Sequence, residues 1–579
     1  MKKVNNGKIY EKTVLTLKEL NLFEGGSGGK QVLAGSKVAK FLDLVSTKPA
    51  ARYLTYSLSM GFFFVVILVP PVLGILLKWN LMGQIFSDST LMPRALSAIS
   101  ASFVIALFVS SIDVIGGLPM AWFISRGRSG WLSALDTLAD IPFILPTVTL
   151  GYSMLLFWSQ PQGISSFFRV DSLVSPGWLL IILLHFAFSY PVVVRVMVGA
   201  IFDYERVYEE ASRTLGAAPL TADRTVTIPI LKPSLVSSFI LAFARSLSET
   251  GATLMVAGAF ENGPIFIKNM KDAGLEGPLV FVSLILILVS SAIFATILVL
   301  GPRLKFPLSK VWPTTERKLS SKNTVVSRNS LSLLIFLTLV LFPSLFVVLP
   351  AIYAISDGTL TQAVMGIGVW KNYWQSLILS YFIGASVTLI NTLIGLPMAV
   401  FIARNRAGKT LSRILDIIVN IPLIVPSIAL GVSMGIFWKN FVFIPEIGLI
   451  IFAHLSITYP YFVRSMTAAI QRVNMDFEDA ARTLGAKPFR VFRTIILPLT
   501  KYSLFSGIVM MFARSVDETG ATLAVVSRLK TVPVLLVEWV KQQVPVTSSE
   551  MGLGAGFLVI FSLGILLILR FIVKGRGRY

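Results

Sequence analysis

Two pairs of oppositely charged residues stand inside strongly apolar stretches. Arg245 and Glu249 are four residues apart, and Arg514 and Glu518 repeat the spacing. Side chains four apart share one helical face and can neutralise each other. Ionisable groups within a bilayer are costly and call for a functional hypothesis, and either member of a pair could face a path for a solute or ion, although an internal pair is the preferred reading. Ser248, Thr250, Asp517 and Thr519 flank the pairs, and Ser246 and Ser515 add further polar groups. The plainer reading is an internal pair that fixes helix packing, and the small residues Gly251-Ala252 and Gly520-Ala521 suit close helix approach.

Other chemistries find little support. The chain has no cysteine, which removes disulfides, Cys-ligated zinc, iron–sulfur clusters and thiol catalysis. His185 and His454 are its two histidines and have no neighbouring ligand pattern, so they read as helix-packing donors rather than metal ligands. The patch Gly25-Gly26-Ser27-Gly28-Gly29-Lys30 resembles a phosphate loop but fails it. Glu24 stands where the first glycine is required, and Gln31 follows the lysine. It reads as part of a flexible tail. Asp136 and Asp416 are placed at helix starts, where the helix dipole would stabilise them, and Asp113 aligns with Asn391. No constellation of nucleophile, base and oxyanion donors emerges, so an integral-membrane enzyme is disfavoured. No catalytic residue, metal or cofactor is expected in this chain.

These residues must be positioned by membrane helices. Of the 579 residues 55% are hydrophobic and 14% charged, against about 25% charged in soluble proteins. Apolar runs of about 20 residues cross a bilayer. Six are read in the first half, at about 53–78, 96–124, 134–158, 177–200, 233–258 and 278–302. Six more follow at about 330–355, 376–402, 414–438, 446–470, 502–527 and 553–573. Backbone groups in lipid must be satisfied internally, so the fold class is all-α: a polytopic membrane protein with about twelve transmembrane helices in two six-helix repeats. Pro70-Pro71, Pro142 and Pro146 are expected to kink helices.

The formal net charge of +22 would suggest a nucleic-acid partner in a soluble protein. Here the basic residues gather in alternate loops, as the positive-inside rule predicts. Arg126 and Arg128 lie in one such loop, and Arg206, Arg213 and Arg224 in the next. Arg404 and Arg406, then Arg472, Arg482 and Arg493, repeat the pattern. Arg303, Lys305, Lys310 and Arg317 mark a basic linker, and Lys574, Arg576 and Arg578 a basic tail. The partner implied is the lipid bilayer and not nucleic acid, and both termini are expected on the cytoplasmic side. The opposite loops are poor in Lys and Arg, apart from 259–277 and 528–552, which carry lysines. The expected organisation is a cytoplasmic tail over residues 1–52, a first half over 53–302, a linker over 303–329, and a second half over 330–579.

The halves are a repeat. Glu209-Glu210-Ala211-Ser212-Arg213-Thr214-Leu215-Gly216-Ala217 matches Glu478-Asp479-Ala480-Ala481-Arg482-Thr483-Leu484-Gly485-Ala486 at an offset of 269. The same offset carries His185 onto His454, Arg245 onto Arg514, and Glu249-Thr250-Gly251-Ala252-Thr253-Leu254 onto Glu518-Thr519-Gly520-Ala521-Thr522-Leu523. An even number of spans per half gives both the same orientation, a parallel repeat suited to lining a central path.

The segment between the fourth and fifth spans is the most informative. Glu210-Ala211-Ser212 is followed by three residues, Gly216, nine residues and Val226-Thr227-Ile228-Pro229. Asp479-Ala480-Ala481 is followed by three residues, Gly485, nine residues and Ile495-Ile496-Leu497-Pro498. Glu210 with Arg213, and Asp479 with Arg482, are three apart and support a short helix. Gly216 and Gly485 can end it in a left-handed conformation, and Pro219 and Pro488 redirect the chain. This pattern closely resembles the E-A-A loop of permeases of binding-protein-dependent ABC importers, with Asp479, Ser212, Val226 and Ile228 as mild departures. The Glu249–Leu254 stretch is similar to a signature of the sulfate, molybdate, ferric-iron and thiamine branch.

The resemblance implies a permease in the cell's inner membrane. Each short helix would dock on one of two separate ATP-binding cassette subunits, which carry ATP and magnesium, and an extracytoplasmic binding protein would deliver cargo. The coupling residues would be Glu210, Ala211, Ser212, Gly216 and Pro229, with Asp479, Ala480, Ala481, Gly485 and Pro498. The cargo would be ferric iron, thiamine or an oxyanion such as molybdate or sulfate. An ion-gradient-driven secondary transporter is the alternative that twelve spans and parallel halves also allow.

Overall fold

The computed structural model describes residues 37–127, 130–139, 141–300, 312–406, 408–441, 443–526 and 528–573. The glycine patch at 25–30, Arg128, the linker's Arg303, Lys305 and Lys310, and the tail's Lys574, Arg576 and Arg578 lie outside them. One compact unit joins the described part of the N-terminal segment up to Thr55 with Asn474–Pro498, and the other takes Tyr56–Val473 and Leu499–Tyr579.

Every described element is helical. Among the described residues ten helices are long and apolar enough to cross a membrane. The first half supplies Pro49–Phe86, Leu91–Arg126, Trp178–Asp203, Pro219–Ser248 and Glu276–Ile297. The second supplies Lys322–Ser356, Trp370–Ala403, Glu446–Arg472, Pro488–Val516 and Ser548–Ile565. A bent pair, Lys409–Leu423 with Ser427–Trp438, makes eleven if counted as one span.

The difference from twelve straight spans lies in the third stretch of each half. Pro146 (φ −56°, ψ 133°) and Pro426 (φ −52°, ψ 130°) are extended and separate the two arms. Proline offers no N–H and disfavours helix in the residue before it, so the helix must stop there. In the second half the arms bend by 99°. In the first half the 134–158 stretch becomes Trp131–Leu138, Ile141–Ile144 and Thr147–Ser159. Asp136 falls in the last turns of its helix, bonded to Arg195 at 3.1 Å, so a partner rather than a helix start stabilises it. Asp416 likewise sits well inside Lys409–Val419.

The fifth spans also stop earlier than hydropathy suggests. Pro219–Ser248 ends before the extended Glu249 (ψ 127°), and a new short helix, Gly251–Val256, begins. Gly520–Val525 is its counterpart. The stretches 259–277 and 528–552, read as loops, fold into buried helices Gly263–Asp272 and Val532–Val540. Each has proline in its first turn, where the missing N–H breaks no bond.

Each half's first span packs on the other half. Phe63 stacks on Tyr459 with ring centres 5.5 Å apart, and Phe336 on Tyr190 at 6.3 Å. Pro71 cannot supply the N–H that Ile67 O would take in an α-helix, and the Ser456 hydroxyl donates to that carbonyl instead. Ser433 of the second half donates to Pro70 O (2.8 Å) and accepts from Ile75 N (2.8 Å). Ser153 of the first half does the same for the second half's first span, donating to Pro343 O (2.6 Å) and accepting from Val347 N (2.8 Å). A hydroxyl inserted in the helical ladder is one of the recognised causes of a kink.

Candidate functional site

The two connections between fourth and fifth spans fold alike. Val207–Thr214 and Met475–Thr483 are short helices closed by the same backbone device. Gly216 N donates to Arg213 O (3.0 Å) and Ala217 N to Ser212 O (3.2 Å). Gly485 N donates to Arg482 O (2.9 Å) and Ala486 N to Ala481 O (3.0 Å). This is the Schellman arrangement, which needs a left-handed residue at its corner. Gly216 has φ +94° and Gly485 φ +83°. Beyond them Pro219 and Pro488 each open a new helix at its first position.

Glu210, Ala211, Gly216, Asp479, Ala480 and Gly485 are exposed, while Ser212 and Ala481 are half-buried. Leu215 and Leu484 project at the tips, 90% and 75% exposed. Pro229 sits in the first turn of the helix that continues as the fifth span, and Pro498 at the matching place. Asp479 pairs with Arg482 at 3.0 Å. In the first half the arginine turns elsewhere: Arg213 lies 3.9 Å from Glu209. Glu209 is buried and also ion-paired with Arg126, so it anchors the short helix while Glu210 faces outward. Glu478 is its buried counterpart, 3.1 Å from Arg482. Sequence reading missed this pair of anchors, although an acid four residues before Arg213 and Arg482 was the available signal.

The second constellation lies where the fifth spans break. Glu249 Oε1 accepts from Ala252 N, and Glu518 Oε1 from Ala521 N, both at 3.0 Å. Each carboxylate therefore caps the short helix that follows it, satisfying one of the N–H groups a helix start leaves open. His185 bridges the break through Ser246 (2.8 Å) and Thr253 (2.9 Å). His454 does so through Ser515 (2.9 Å) and Thr522 (2.8 Å). Both histidines are buried and act as staples between a span's end and the next helix.

The halves meet at these breaks. Asp517 Oδ1 accepts from the N–H of Thr147 (2.6 Å), the first residue of Thr147–Ser159, and Glu249 accepts from the Thr147 hydroxyl at 3.1 Å. In the reciprocal place Ser427 donates to Ser248 O (3.2 Å) and lies 3.5 Å from the Thr250 hydroxyl. A Cβ on Gly251 would come within 2.5 Å of Thr519 Oγ1, so any larger residue would force its neighbours at this crossing to shift. Arg514 pairs with Glu518 at 2.7 Å. Arg245 lies over the Phe188 ring at 5.5 Å, and Glu249 has Thr147 and Ala252 as partners. Arg245, Arg514, Asp517 and Tyr461 line a cavity of about 120 Å³ beside the crossing, bounded also by Leu145 and Pro146.

The family described as "Binding-protein-dependent transport system inner membrane component" matches residues 114–306 and again residues 395–575. The chain belongs to this family. The two matches take in both short helices, both glycine corners and both breaks. The permease is 32% identical to the sulfate transport system permease protein CysT of Salmonella typhimurium over 217 residues, 37% of this chain and 78% of that one. It is 28% identical to the molybdate/tungstate transport system permease protein WtpB of Methanocaldococcus jannaschii over 243 residues, 40% and 94% of the two chains. To the molybdenum transport system permease protein ModB of Escherichia coli K12 it is 32% identical over 213 residues, 34% and 89%. It is thus a two-half transmembrane permease of a binding-protein-dependent importer.

Of the residues expected to line a path in this permease, Arg245, Arg514 and Asp517 border the cavity. Glu249, Thr250, Glu518 and Thr519 are buried in the crossing beside it. Ser248 contributes its carbonyl to Ser427 rather than its hydroxyl, which bonds Arg245 O at 3.2 Å. Thr147, Ser427 and Tyr461 belong to the constellation and were not foreseen. Thr147 and Ser427 follow the prolines that break the third stretch, a position that opens a helix.

Proposed function

We propose that this permease carries a small oxyanion along a path between its halves, with the crossing at Gly251 and Gly520 as its closed gate. The residues lining the path would be Arg245, Ser248, Glu249, Thr250, Arg514, Asp517, Glu518 and Thr519. The observation that carries the cargo class is the cavity wall. Two arginines, Arg245 and Arg514, line it with one carboxylate, Asp517, Arg514 being also paired with Glu518. Guanidinium is always charged, and its planar fork matches oxyanion geometry. The relatives named for sulfate and molybdate transport agree in kind with that wall.

Energy would enter at the two exposed tips. Glu210, Ala211, Ser212, Gly216 and Pro229 would seat one ATP-binding cassette subunit, and Asp479, Ala480, Ala481, Gly485 and Pro498 a second. ATP and magnesium belong to those subunits, both termini of the permease lie on their side, and an extracytoplasmic binding protein supplies cargo at the other. Nucleotide acts by binding one arrangement of the subunits better than the other, which shifts the permease between two openings.

The test is reconstitution of the permease with its ATPase and binding protein in vesicles, with sulfate, molybdate, ferric iron and thiamine offered in turn. ATP-dependent uptake of an oxyanion is expected, abolished by Arg514→Ala. Uptake of ferric iron or thiamine alone would overturn the cargo class. Uptake driven by an ion gradient without the ATPase would overturn the mechanism.

A further inference from the structure

The linker between the halves does more than join them. Its helix Pro313–Leu319 packs against Pro219–Ala222 of the first coupling element. Leu220 stands in the first turn of Pro219–Ala222, where a helix leaves its N–H groups without partners. The Ser320 hydroxyl accepts from Leu220 N at 3.0 Å and donates to Glu316 O at 2.7 Å. Glu316 is buried and accepts from the Thr221 hydroxyl and from Arg224, at 3.0 Å from Nε and 2.6 Å from Nη2. Arg224 in turn lies 5.3 Å from the Trp312 ring centre. Those bonds hold the Glu316 carboxyl below its ordinary range.

The linker helix ends at Leu319, and after the extended Ser321 (φ −63°, ψ 152°) a second helix, Lys322–Ile335, leads into the second half's first span, which packs on the first half through Phe336 on Tyr190 and Ser153 on Pro343. The other unit repeats the contact. Ser46, on the helix that precedes the first half's first span, accepts from Phe489 N at 3.2 Å and donates to Asp43 O at 2.8 Å. Phe489 is the second residue of Pro488–Val491, as Leu220 is of Pro219–Ala222. The same cap therefore appears on both coupling elements, each supplied by the arm leading to the other half's first span.

We propose that Glu316 and Ser320 are positioning residues for energy coupling: they lock the linker arm to the first coupling element, so that this element and the second half's first span move as one piece. Ser46 serves the second element in the same way. The proposal rests on the coupling role given above to residues 210–229. A push on one element then moves a body assembled from both halves, and the arm keeps the gate helices in step with the subunit that pushes.

The experiment uses the permease with its ATPase and binding protein in vesicles, and reads labelled sulfate or molybdate moved per ATP hydrolysed. Glu316→Gln with Ser320→Ala is expected to leave ATPase co-purification intact. It should lower cargo per ATP about tenfold, the scale of one lost charge-assisted hydrogen bond. Glu316→Arg with Arg224→Glu should restore much of the ratio. A fall of uptake and hydrolysis together, with the ratio unchanged, would overturn the proposal, as would loss of ATPase binding. The absence of cysteine permits a second arm. Leu220→Cys with Ser320→Cys, bridged covalently, should transport as well bridged as unbridged or better. Inhibition by the bridge that a reductant reverses would show that the strap must release, and would also overturn the proposal. If the parent chain proves to need no ATPase at all, the underlying coupling role fails instead, and the two failures are distinguishable.

Discussion

Gly251→Ala probes the proposed gate at a close crossing of the two halves. A Cβ there would lie 2.5 Å from Thr519 Oγ1, 2.7 Å from Thr519 Cβ and 2.8 Å from Val148 Cγ2. Carbon pairs prefer about 3.5–4.0 Å, so three atoms of two residues must retreat by roughly 1 Å. Overpacking of a well-packed site by one methyl typically costs about 1–3 kcal/mol. The part of that strain owed to Thr519, on the other half, is relieved when the halves separate. It therefore acts on the closed-to-open balance, shifting it about 5- to 150-fold toward opening. The assay is efflux of preloaded sulfate or molybdate from vesicles without ATP, with Gly83→Ala as control because nothing lies within 4 Å of a Cβ at that position. The variant should leak faster than parent and control while remaining folded by size-exclusion chromatography. A folded Gly251→Ala protein as tight as the control would refute the assignment of this crossing as the gate.

Gly216 meets no neighbour within 4 Å but holds φ +94°, so Gly216→Val should loosen ATPase co-purification and abolish uptake, whereas Gly216→Asn, which tolerates that conformation, should retain both. Glu518→Gln leaves Arg514 buried without its ion pair and should destabilise the permease by about 3–5 kcal/mol, read as a lower thermal midpoint. Lys271 lies outside the spanning helices and donates to Leu523 O and to Val526 O (3.0 Å). Burial, then Lys439, lowers its pKa to about 8. Its contribution to stability is therefore fully present above the ordinary lysine value near pH 10.5 and is lost as pH falls through about 8. Lys271→Met should remove that dependence, and an unchanged pH profile in thermal unfolding would contradict the assignment.

The connections between the fourth and fifth spans were legible because glycine and proline constrain the backbone wherever they stand. Their spacing alone gave two short helices with left-handed corners, which Gly216 and Gly485 adopt. The breaks in the fifth spans were not legible, because Glu249-Thr250-Gly251 lies in a continuous apolar run and hydropathy does not sense a change of direction. Helices 263–272 and 532–540 were read as loops for the opposite reason: they are short, and the first carries three charges. The exchange of first spans left no trace in a repeat comparison, since a swapped and an unswapped half have the same internal periodicity. What could have been noticed is that Ser153 and Ser433 occupy equivalent places in their halves, while proline breaks each first span.

The exchange of first spans imposes an order on the making of this protein. Ile67 O takes its hydroxyl from Ser456, 389 residues further along the chain. At ribosomal speeds of about 5–20 residues per second, the nascent N-terminal helix waits roughly 20–80 seconds for that partner. During this interval its proline-broken turn has a carbonyl exposed to hydrocarbon or covered by a temporary occupant. An insertase or a lipid headgroup drawn inward would fill that role, and synthesis slowed in the second half would lengthen the period in which quality-control proteases see an unfinished channel.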